Sequence, residues 1–122
     1  MRFPQLIVFE ADGRLAAALR PLAAGRSWAL REPRRVESAL RLLGRGGPNV
    51  LLVRAGRDLE REMGLVERAS RLAGAAVVVV ADASHPRLAG LAWDLGATYV
   101  LAPEPARQRL VELVEALLGG GP

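Results

Sequence analysis

The stretch "NVLLVRAGRD", Asn49 to Asp58, decides how this chain reads. Val50 to Val53 are four consecutive apolar residues, the pattern of a strand buried on both faces, and such strands belong to parallel sheets covered by helices. Arg54 follows at the point where the strand should open to solvent. Downstream, "AAVVVVA" (75–81) repeats the motif with four valines in a row, which disfavour helix and suit a central strand. Upstream, "QLIVFE" (5–10) is a third continuous apolar run.

Helical patterns separate these runs. "GRLAAALRPLAAG" (13–25) sets Leu15, Ala18, Leu19 and Leu22 on one stripe, with Pro21 expected to kink the helix or end it early. "SWALRE" (27–32) alternates and is more polar, as an edge strand does. "RRVESALRLLG" (34–44) spaces Val36, Leu40 and Leu43 helically and stops at a glycine. "LEREMGLVERASRLAG" (59–74) is the third helix. "SHPRLAGLAWDLGA" (84–97) carries Ser84 as N-cap and Pro86 in the first turn. "TYVLA" (98–102) is a short last strand, and "ARQRLVELVEALLGGG" (106–121) closes the chain with Leu110, Leu113, Val114 and Leu117 inward. Five βα units in succession predict a doubly wound parallel sheet, commonly ordered 2-1-3-4-5, with helices on both faces. Residues 1–118 read as one domain and 119–122 as a flexible Gly-rich tail, a terminus or the start of a linker.

Composition narrows the possibilities. A chain of 122 residues with 51% hydrophobic content can build one core, and no apolar run approaches the roughly 20 residues of a membrane span. No cleavable signal is expected in "MRFPQLIVFEADG". Cysteine is absent, which excludes disulfides and fits the cytoplasm. The net charge is +4 and the pI about 11.1, but all 17 basic residues are arginine, which keeps its proton at accessible pH and inflates the pI. Acids interleave with them, so nucleic acid is not the expected partner.

In a doubly wound sheet, ligands gather beyond the carboxyl ends of the strands. Those ends here carry Glu10, Ala11 and Asp12, then Arg54, then Ala81 and Asp82. The whole chain resembles the receiver domain of two-component response regulators, a flavodoxin-like fold. "LIVFEADG" is similar to the receiver's first strand and acidic pair, "PNVLLVRAG" to its third strand, and "VVVVADASHPRLAGLAWDLGATYVLAP" to its fourth strand, fourth helix and closing "GA…Y-L-x-K-P".

The family's functional residues do not carry over. The resemblance places Arg54 where the phosphoacceptor aspartate stands, and Glu10 and Ala11 where two acids hold a divalent cation. Ala81 stands for a hydroxyl, and Ala102, before Pro103, for a lysine. Acyl phosphate formation needs a carboxylate nucleophile and a metal ion, and a guanidinium supplies neither. The expectation is therefore a degenerate receiver without catalysis, metal or cofactor. Arg54 either pairs with Glu10, Asp12 or Asp82 and pins the pocket, or snorkels to solvent.

Other motifs are weaker. "GRGGP" (44–48) precedes a strand, the wrong end of the sheet for a phosphate loop. "EADGRL" lacks the hydroxyl-rich loop that cradles a flavin phosphate. His85, the single histidine, has no set to join. Trp93 and Tyr99 read equally as core fillers or as anchors of an interaction face. The resemblance implies that this face is built from helix four, strand five and helix five, and here it would present Trp93, Tyr99, Leu101, Pro103, Arg107, Val111 and Leu118. The expected role is a phosphorylation-independent protein–protein interaction or dimerisation module in bacterial signalling, working as a homodimer or inside a larger protein. The alternative is a small-ligand or nucleotide-binding domain using Asp12, Arg54 and Asp82.

Overall fold

The computed structural model describes residues 4–45, 48–72, 74–81, 86–103 and 105–118. Strands and helices alternate along it: β1 (Gln5–Phe9), α1 (Arg14–Arg26), β2 (Ala29–Arg31), α2 (Val36–Gly44), β3 (Asn49–Ala55), α3 (Leu59–Ser70), β4 (Ala75–Ala81), α4 (Pro86–Asp94), β5 (Tyr99–Leu101) and α5 (Arg107–Leu118). All strand pairings are parallel and the sheet order is β2-β1-β3-β4-β5, as the apolar runs predict.

Alternation along the strands explains how both faces are buried. Ile7, Phe9, Leu51, Val53, Val77 and Val79 point one way and pack with Ala39, Leu43, Met63, Val66, Leu88 and Ala92 of α2, α3 and α4. Leu6, Val8, Val50, Leu52, Val78 and Val80 point the other way, onto Leu15, Leu19, Leu110, Val114 and Leu118 of α1 and α5. Burying each such Leu or Val contributes about 1.5–3 kcal/mol of transfer free energy. The two outer strands are only three residues long.

Polar anchors set the start of the sheet. Asn49 is buried at the head of β3, where its Nδ2 donates to the Leu43 carbonyl at 3.3 Å and its Oδ1 accepts from Gln5 Nε2 at 3.0 Å. Gln5 also donates to the Leu42 carbonyl, so two of the open carbonyls at the end of α2 are satisfied by strand side chains.

Several boundaries differ from the sequence reading, each for a local reason. Pro21 neither ends α1 early nor interrupts its assignment, and the helix runs on to Arg26. Proline removes one backbone donor, and Pro21 lies on the exposed side of the helix together with Ala17, the residue whose carbonyl it would have bonded. Ser27, read as strand, takes a left-handed conformation (φ 59°) that closes α1, and its N–H donates to the Ala23 carbonyl. Thr98 precedes β5 instead of joining it. Its N–H donates to the Val77 carbonyl at 2.7 Å while its Oγ1 accepts from the Val77 N–H at 2.9 Å, so one residue makes both contacts. The inward stripe of α5 is Leu110, Val114 and Leu118, at a strict four-residue spacing, with Leu113 and Leu117 half-buried at its flank.

Candidate functional site

The first and third strands end side by side, with Phe9 opposite Val53, and the third and fourth end together, with Ala55 opposite Ala81. Parallel pairing therefore brings Glu10, Ala11, Asp12, Arg54 and Ala81 to one end of the sheet, as the sequence predicts. Ala102 follows β5 at the same end and is exposed; the Ala102–Pro103 peptide is cis. Asp82, Ser84 and His85 lie outside the described residues, as does the 119–122 tail.

The acids at this end are committed to backbone amides. Glu10 accepts from Leu15 N at 3.0 Å through one carboxylate oxygen and from Ala16 N at 2.9 Å through the other, so it satisfies the first turn of α1. The N-cap residue itself is Gly13 at φ 75°, which has no side chain to do this. Asp12 Oδ1 accepts from Arg14 N at 3.1 Å. That hydrogen bond is the largest influence and holds the Asp12 carboxyl below its ordinary range; burial opposes it, and the positive charge of Arg54 adds a smaller lowering.

Strand alternation puts Arg54 in phase with Val50 and Leu52, on the face covered by α1 and α5. It is half-buried and engaged by its surroundings. A cation here and carboxylates already bonded to amides do not fit a divalent metal. Among the described residues no group of three or more His, Cys, Asp and Glu side chains is placed to hold one.

Glu62 was not singled out by the sequence. It is 5% exposed, and its two oxygens accept from Gly56 N at 2.8 Å and Asp58 N at 3.2 Å. Asp58 N-caps α3 by accepting from Arg61 N at 3.3 Å. Together they tie the loop after β3 to the first turn of α3. The only clue in the sequence is an acid four residues after a capping aspartate, a spacing that ordinary surface helices also show.

The expected interaction face divides. Trp93 and Tyr99 are 51% and 43% exposed, so neither fills the core. Leu91, also on α4, is the third of four large exposed hydrophobic side chains among the described residues, the other being Leu59. Arg107 and Pro103 are exposed, whereas Leu101 and Val111 are half-buried. Leu118 is a correction: it is 7% exposed and lies inside the α1/α5 core, because it continues the Leu110–Val114 stripe.

This arrangement, five parallel strands in the order 2-1-3-4-5 between two and three helices, is the CheY-like receiver fold. Solved structures that share it include a CheY-like receiver domain protein from Methanospirillum hungatei, at 12% identity and TM-score 0.78 over 98% of this chain and 96% of that one. The signal receiver domain of an HD domain-containing protein from Pseudomonas fluorescens is 16% identical, with TM-score 0.78, over 98% and 90%. The receiver domain of the TMAO respiratory response regulator TorR is 13% identical, with TM-score 0.78, over 95% and 97%. At such identities the likeness is one of fold. No family model matches the chain and no curated protein matches it in sequence.

Proposed function

We propose that this domain is a degenerate receiver, an interaction module in bacterial signalling that works without phosphorylation, metal or catalysis. The observation that carries the reading is the exposure of Trp93 and Tyr99 on adjoining elements, α4 and β5, in a chain with only 4% aromatic residues. Large aromatics with one open face are favoured anchors of protein interfaces. Support for phosphorylation independence comes from the residue at the switch point: Arg54 offers no carboxylate for an acyl phosphate and repels the cation such a reaction needs. Arg54 instead places a permanent positive charge near Asp12 at this end of the sheet.

The occupant proposed for the face is a second copy of the chain or a protein partner in the cytoplasm. Sedimentation equilibrium over a hundredfold concentration range tests it. The parent chain should self-associate, and Trp93→Ala with Tyr99→Ala should shift it to monomer without lowering its melting temperature. A monomeric parent that also fails to bind any protein of its own gene neighbourhood would overturn the reading. Beryllofluoride with magnesium should leave the association constant unchanged, and a response would refute phosphorylation independence.

A further inference from the structure

A concavity opens between the loop after β1, the approach to α2 and the loop before α3. It encloses about 180 Å³ and has the Phe9 ring in its wall. Three arginines from three segments line it: Arg34 ahead of α2, Arg57 in the loop after β3, and Arg61 in the first turn of α3. Three acids line it too, Glu10, Asp58 and Glu62, so the formal charge of the wall is three minus three, or zero.

That balance misstates what is available to a ligand. Both oxygens of Glu10 and both of Glu62 accept from backbone amides, and Asp58 caps α3. These carboxylates offset the positive ends of two helices. Among the described residues, the side-chain ion pairs are Arg20–Glu32, Arg26–Glu115 and Arg71–Glu67, and none reaches Arg34, Arg57 or Arg61. Arg61 stacks over Phe9 with its guanidinium carbon 5.4 Å from the ring centroid, and donates to the Arg34 carbonyl. The acids keep their charge but are tied to backbone amides, while planar donors from three directions line the cavity and can meet an oxyanion.

We propose that this pocket binds a small phosphate-bearing anion. Forked guanidinium donors match phosphate oxygens two at a time. The volume lies below the ~300 Å³ at which drug-sized ligand sites begin, which selects free phosphate or a compact phosphate monoester over a nucleotide. The site adjoins the degenerate receiver pocket, with which it shares Glu10 and Ala11, but its Phe9 wall lies on the sheet face of α2, α3 and α4, opposite Arg54, and it is independent of the interaction reading.

The test is amide NMR of the full chain titrated with inorganic phosphate and, separately, glycerol 3-phosphate, against chloride at constant ionic strength. Saturable shifts should centre on residues 9–11, 34–36 and 56–62. Tighter binding of glycerol 3-phosphate assigns the site to a monoester, and equal binding assigns it to phosphate itself. Arg57→Gln and Arg34→Gln should each weaken binding by about tenfold, the loss of one charge-assisted hydrogen bond, while Arg45→Gln leaves it unchanged. Shifts that never saturate, that centre on Asp12 and Arg54, or that fall equally with Arg45→Gln would overturn the proposal. Both variant positions are exposed, so folding is preserved and the readout stays clean.

Discussion

Replacing Glu62 with glutamine changes one oxygen for an NH2 group at the point where α3 ties down the loop after β3. The carboxylate is 5% exposed and accepts two backbone N–H groups, at 2.8 and 3.2 Å. Glutamine keeps one acceptor and sets its amide nitrogen, a donor, against the remaining N–H. One hydrogen bond to a charged group is lost, worth about 1.5–3 kcal/mol, and an amide is left without an acceptor. A net loss of about 2 kcal/mol follows, a large part of the ~5–15 kcal/mol that holds a domain folded. For a chain of this size that corresponds to roughly 6–10 °C in melting temperature. Urea unfolding followed by far-UV circular dichroism should show a lower midpoint at unchanged slope, since the surface exposed on unfolding is the same. Glu60→Gln, an exposed acid on the same helix, should stay within about 0.5 kcal/mol of the parent. If Glu62→Gln is equally silent, the carboxylate does not hold the loop and the account of this site is wrong.

Gly96→Ala should cost roughly 2 kcal/mol or more, because φ is +104° and a Cβ would stand 2.6 Å from Ser70 Oγ and 2.7 Å from Ser70 Cβ. Adding Ser70→Gly should recover part of that loss in a double-mutant cycle, and strict additivity would refute the clash. Asp12→Asn tests the charge at the switch point. The folded-state pKa of Asp12 is lowered, so its contribution to stability is present above the unfolded value and disappears as pH falls through the folded one. The variant should therefore be slightly less stable than the parent at neutral pH, with the gap closing below about pH 4. A gap that persists into acid, or one of opposite sign, would remove the electrostatic role.

The fold was legible because its signals are redundant. "AAVVVVA" matches β4 residue for residue, and three continuous apolar runs separated by helical stripes leave few topologies other than the doubly wound sheet. The end of the sheet at which Glu10, Asp12, Arg54 and Ala81 meet followed from topology alone. What escaped was everything decided by depth and by hydrogen bonds to distant backbone. Glu62 sits among Leu59, Arg61 and Met63 in a helix whose acids all look solvated, and nothing local says that the loop amides fold over this one. Leu118 was set on the outer face because its helix offers more apolar residues than one stripe can bury. Pro21 misled through a rule that holds for buried helix interiors and weakens where the lost bond faces water.

The three-residue length of β2 and β5 has a further effect on how copies of this chain can meet. Open strand margins are templates on which foreign backbone accretes, and keeping them brief leaves too few rungs for such growth. If the proposed face is where partners dock, contact along the Tyr99 border would then rest on side-chain matching, which is discriminating and self-limiting, instead of open-ended ribbon extension.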